Sequence, residues 1–110
     1  MDRVLQAISD PTRRRILDLL AAGELPAGTI AAQFPEVSRP AVSQHLAVLR
    51  DAHLVEVRKA GRQHLYSLNP SPLRAFWEEW LSKYERLWAR KLSDLKRVVE
   101  AEDDTNDKEF

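Results

Sequence analysis

Apolar positions in the first half of the chain recur at helical spacing and then switch to alternation. Leu5 and Ile8 mark a short first helix. It is stopped by Ser9-Asp10-Pro11, where Ser9 or Asp10 offers a capping side chain and Pro11 suits a first helical turn. Ile16, Leu19 and Leu20 share one face and Gly23 supplies a stop, so a second helix is expected from about Asp10 to Ala22. A third, shorter helix around Gly28 to Phe34 turns Ile30, Ala31 and Phe34 inward, with only Thr29 to offer a weak cap after Leu25-Pro26-Ala27. Pro35-Glu36-Val37 reads as a turn. Ser38 or Arg39 then caps a fourth helix with Pro40 in its first turn, where the missing N–H costs nothing. Val42, Leu46 and Leu49 form its apolar stripe, while Pro40, Ser43, Gln44 and Ala47 project to the other side. The helix ends near Ala52, and His53 occupies the place where a left-handed residue usually closes a helix.

From Leu54 to Leu68 the period changes: Val55 and Val57, then Leu65 and Ser67, alternate around Ala60-Gly61-Arg62, the pattern of a β-hairpin. Beyond Asn69-Pro70-Ser71-Pro72, the residues Trp77, Leu81, Tyr84, Trp88, Leu92, Leu95 and Val99 follow at steps of three and four, which describe one helical stripe. A single helix from Leu73 to Glu102 would be about 45 Å long at 1.5 Å per residue. That exceeds what a compact domain of this size covers by itself, so a partner is expected over part of it. Core packing and partner contact account for Trp77, Trp80, Tyr84 and Trp88 better than an aromatic effector pocket does. The fold class is thus mainly α with a small β-hairpin wing, in the order α-α-α-α-β-β-α. One domain is expected over residues 1–100, followed by an acidic, disordered tail over 101–110.

Charge changes the picture only when it is located. The chain of 110 residues has a formal net charge of zero, which is unpromising for a nucleic-acid binder. Residues 101–110, however, hold Glu102, Asp103, Asp104, Asp107 and Glu109 against Lys108 alone. Between Ser38 and Asn69 the balance reverses, with Arg39, Arg50, Arg58, Lys59 and Arg62 against Asp51 and Glu56. The middle of the chain is locally basic. Apolar runs fall short of the roughly 20 residues that span a bilayer, and no secretory leader pattern follows Met1, so a cytoplasmic protein is expected. Cysteine is absent, which removes disulfides, thiolate metal sites and cysteine nucleophiles.

Two short helices joined by a tight turn, followed by a basic hairpin, suit duplex DNA. The second of the pair fits the major groove, where Ser43 and Gln44 can reach base edges and Arg39 can reach a guanine or a phosphate. Arg58, Lys59 and Arg62 bracket Gly61 at the hairpin tip and would set register and salt dependence more than sequence choice. The expected DNA surface comprises Ser38, Arg39, Pro40, Ser43, Gln44, His45, Arg50, Arg58, Lys59 and Arg62, with His45 near the edge of the apolar stripe and able to buttress the helix. Arg13-Arg14-Arg15 reads instead as a solvated helix face, with Arg14 paired to Asp18 at i,i+4.

The chain resembles the ArsR family of winged helix-turn-helix repressors over about Val4 to Leu68. The resemblance rests on SDPTRRRILDLL from Ser9, AGTIAAQF from Ala27, SRPAVSQHLAVLRDAHLV from Ser38 and GRQHLYSLN from Gly61, in family order. It implies a homodimer joined through the first and last helices, with Leu5, Trp77, Leu81, Tyr84, Trp88, Leu92 and Leu95 at the interface, and a repressor binding an inverted-repeat operator. Many relatives sense metals, but the family's cysteine pair on the third helix is replaced by Ala31-Ala32-Gln33, and the last helix has no histidine. His45, His53 and His64 are too dispersed to suggest a shared site, so neither metal nor cofactor is expected, while a small-molecule effector stays open. No phosphate-cradling loop, nucleophile elbow or HExxH pattern supports an enzyme. The alternative function is a protein-interaction module that uses the aromatic C-terminal helix.

Overall fold

The computed structural model describes residues 2–109, with side chains described for residues 2–101. The chain divides into two units, Met1–Phe76 and Trp77–Phe110.

The first unit opens with α1 (Asp2–Ile8) and α2 (Pro11–Ala21). Asp10 caps α2 with its carboxylate, which accepts from the Arg13 backbone N–H at 3.0 Å, and Pro11 takes the first helical position. Helices α3 (Ala27–Ala32) and α4 (Arg39–Asp51) follow, then strands β2 (Val55–Ala60) and β3 (Gln63–Leu68), and α5 (Ser71–Glu79) continues past the unit boundary. One core joins these elements: Ala7, Ile16, Leu17, Leu20, Ile30, Phe34, Val42, Leu46, Leu49, Ala52, Leu54 and Val55 are all buried. Each of the larger side chains contributes about 1.5–3 kcal/mol by leaving water, and the inward face of α4 is the stripe that its spacing predicts.

The sheet has three strands rather than the expected two. A two-residue strand β1 (Leu25–Pro26) lies beside β3, pairing Leu25 with Tyr66 and Pro26 with Leu65, in the order β1-β3-β2. Proline is tolerated there because β1 is an edge. Pro26 also occupies the N-cap of α3 without any side-chain capping bond, so Thr29 does not substitute as a cap. The chain around α3 is held by the sheet and by Ile30 and Phe34 in the core.

Two predicted turns take the expected form. His53 has φ 60°. Its N–H donates to the Arg50 carbonyl at 2.9 Å and that of Leu54 to Leu49 at 3.0 Å, the paired bonds of a Schellman closure with its Leu49–Leu54 apolar contact. In the hairpin, Ala60 pairs with Gln63, leaving Gly61-Arg62 as a two-residue turn with Gly61 at φ 62°. Glycine at the first central position matches a turn whose twist suits the flanking strands.

In the second unit, the single long helix expected from Leu73 to Glu102 is interrupted. Helix α5 stops at Glu79, Trp80 leaves the helical region (φ −131°, ψ −61°), a 3₁₀ turn spans Leu81–Tyr84, and α6 runs Glu85–Glu109. The Ser82 hydroxyl donates to the Glu78 carbonyl at 2.9 Å, a side-chain bond of the kind that competes with helical backbone. Trp80 and Tyr84 meet edge to face at 5.9 Å. The backbone of residues 102–109 continues α6. Phe110 and the side chains of 102–109 lie outside the described residues. Among the described residues, no helix is long and apolar enough to cross a membrane.

Candidate nucleic-acid interface

Helix α4 positions the central group. Ser38 caps it, its hydroxyl oxygen accepting from the Ala41 N–H at 3.3 Å, so the hydroxyl hydrogen is what Ser38 has left to offer. Burial of Val42, Leu46 and Leu49 orients the helix and leaves Arg39, Pro40, Ser43, Gln44, Ala47 and Arg50 exposed. Thirteen residues make a rod about 20 Å long and 10–12 Å wide, which matches a major groove about 12 Å across. Arg50 follows Ser43 by seven residues, on the same stripe, and borders Arg3, Asp51 and His53 at the helix end.

His45 departs from this group. It is only partly exposed, with Nδ1 3.2 Å from Arg13 Nη1 and 3.9 Å from Asp10 Oδ2. It therefore braces α4 against α2, the buttressing role open to it from its place beside the stripe.

The wing cations also separate. Lys59 and Arg62 are exposed near the hairpin tip, but Arg58 makes two bonds to Glu24, Nε–Oε2 at 2.9 Å and Nη2–Oε1 at 2.7 Å. The pair ties the wing to the segment preceding β1. Its hydrogen bonds hold the Glu24 carboxyl below its ordinary range and raise the Arg58 guanidinium.

In the arginine triplet Arg14 and Arg15 are exposed, as a solvated face requires, and Arg13 is half-buried. Arg13 donates from Nε to the Ala7 carbonyl (2.7 Å) and from Nη2 to Gln6 (2.9 Å). Arg14, expected to pair with Asp18, donates instead to the Ile8 carbonyl at 2.6 Å. These acceptors end α1 and lack partners within it, so they outcompete an exposed carboxylate four residues along. Arg15 bonds Glu36 at 3.1 Å and lies over the Phe34 ring at 4.7 Å.

Asp10 is held below the ordinary carboxylate range chiefly by the Arg13 backbone N–H, with the Arg13 charge assisting and partial desolvation opposing. Glu24 is lowered through Arg58, and Glu36 by its own backbone N–H and then Arg15. Lowered folded values mean that the ionised carboxylates favour the fold. Their contribution is complete above the ordinary carboxylate range and is lost as pH falls through the depressed values. Thermal melts should be nearly level from pH 7 to 5 and drop below about pH 4. Asp10→Asn, which caps without titrating, should make that drop shallower; an equally steep drop would remove Asp10 from the explanation.

Among the described residues, no three of His, Cys, Asp or Glu are grouped so as to hold a metal ion. This leaves an exposed polar helix face beside a cationic hairpin.

Known proteins resemble this chain in sequence and fold. The family model described as a helix-turn-helix domain matches residues 8–58. An HTH-type transcriptional regulator of Mycobacterium tuberculosis is 44% identical over 103 residues, covering 94% of this chain and 92% of that protein. The transcriptional repressor SdpR of Bacillus subtilis is 46% identical over 74 residues, 67% of this chain and 81% of the repressor. Among solved structures, an ArsR-like transcriptional regulator from Rhodococcus sp. RHA1 superposes with a TM-score of 0.71 at 33% identity, covering 91% of this chain and 90% of that one. On this sequence similarity and shared fold, this chain belongs to the ArsR family of winged helix-turn-helix, DNA-binding transcriptional regulators.

Proposed function

We propose that the protein is a cytoplasmic homodimeric repressor that reads an inverted-repeat operator, each α4 entering one of two successive major grooves about 34 Å apart. The observation that carries the reading is the exposed Arg39, Ser43 and Gln44 side of α4, fixed by burial of the opposite side. Gln44 presents the donor and acceptor pair that matches adenine, and Arg39 the fork that matches guanine. Pairing of two copies is supported by α6, whose described side chains are all exposed although they include Trp88 (64%), Leu92 (47%) and Leu95 (58%). Leu5 on α1 is also exposed (49%). Apolar exposure on this scale marks an interaction surface, and a second copy covers it. Repression, the role named for SdpR, then follows by occlusion of the promoter.

Selection of random duplexes with purified protein tests the reading, followed by a salt titration on the enriched sequence. An inverted repeat with a steep salt dependence is expected; enrichment of no motif would overturn it. Arg62→Ala should weaken binding to operator and to unrelated duplex alike and reduce the salt slope by about one per protomer. A selective loss on the operator would move Arg62 from phosphate to base contact.

A further inference from the structure

Arg13 joins three helices through one planar group. It stands in the first turn of α2, two of its guanidinium nitrogens hold the Gln6 and Ala7 carbonyls that end α1, and the third meets His45 on α4 at 3.2 Å. We propose that the Arg13–His45 bond is a positioning contact for operator recognition, fixing the Ser43-Gln44 face of α4 relative to α1. This inference rests on the DNA-binding reading of α4. Guanidinium has donors only, so His45 Nδ1 accepts, and the ring is neutral with its proton on Nε2. A bond of this kind has one preferred geometry, whereas the apolar packing of Leu46 and Leu49 beneath the same helix tolerates small rotations. His45 immediately follows Gln44, so a small rotation of the helix at His45 swings the Gln44 amide across a base pair. Because α1 also carries exposed Leu5, a shift of α1 on dimer formation reaches α4 through the same guanidinium.

The surrounding charges fit this role. Asp10 Oδ2 lies 3.9 Å from His45 Nδ1 and accepts from the Arg13 backbone N–H, so the N-cap of α2 borders the same contact.

The test is a double-mutant cycle on the full chain, with the operator recovered by selection and an unrelated duplex as probes. Arg13→Lys keeps the charge and loses the fork; His45→Leu loses the acceptor. Each should lower operator affinity about tenfold, as expected for a bond to a charged group. The double variant should lose little more than either single one. Binding to the unrelated duplex should be unchanged, and His45→Gln, which restores an acceptor, should recover most of the loss. Additive losses, or no loss with His45→Leu, would overturn the proposal while leaving DNA recognition by α4 intact. Failure to recover any operator would overturn both. Nitrogen NMR of the unmodified protein gives a readout independent of any variant: the Nε2–H tautomer of His45 is expected, and the Nδ1–H tautomer would overturn the proposal.

Discussion

Replacing Trp88 and Leu92 together with aspartate is expected to yield a folded monomer whose operator affinity is at least about a hundredfold lower. The protein should stay folded because both side chains are exposed in the single chain, and neither belongs to the core that joins α1–α4 and β2. Dimerisation should fail because two carboxylates would have to be desolvated in an apolar interface without partners. The fall in affinity follows from geometry: a dimer presents its second α4 to the second half-site at a high effective concentration, and a monomer loses that gain of about 10²–10⁴. Light scattering measures the first effect and operator titration the second. A variant that stays dimeric would place the interface away from α6.

Gln44→Ala has the second largest expected effect. A well-formed bidentate pair to a base is worth about 1–3 kcal/mol of discrimination, which is about fivefold to 150-fold at each half-site. The loss should be confined to the operator, because Gln44 carries no charge and neutralises no phosphate. This selectivity separates it from Arg62→Ala, whose loss is shared by all duplexes. Repeating the selection with Gln44→Ala should return a degenerate base at one position per half-site. An unchanged consensus would show that α4 is not the reading helix, whatever its shape.

These expectations draw on features of differing legibility. Helix α4 could be read almost completely: Ser38, Pro40, the Val42-Leu46-Leu49 stripe and His53 each act within a few residues of their own position, and capping, apolar spacing and left-handed closure are local physics. The Gly61 turn is legible for the same reason. Strand β1 is not, because two residues carry no periodicity and become a strand only when β3 lies beside them. The break at Trp80 was hidden by a spacing of threes and fours that runs on through it, since periodicity records which residues are apolar and not whether the helix between them is continuous.

The candidate site divides along the same line. Ser43 and Gln44 were identifiable as an exposed polar face because burial of the opposite stripe leaves them nowhere else to go. The cations were identifiable by type but not by employment. Arg58 is tied to Glu24, 34 residues away, and Arg13 to His45, 32 residues away. Local order alone thus determined where the helices begin and end, which side of α4 is wet and where the wing turns, since those follow from capping, period and backbone preference within a few residues. Only the tertiary structure decided which charged groups remain available to DNA and which are spent holding the elements together. A charge chooses its partner by distance in space, and folding brings distant parts of the chain within hydrogen-bonding reach.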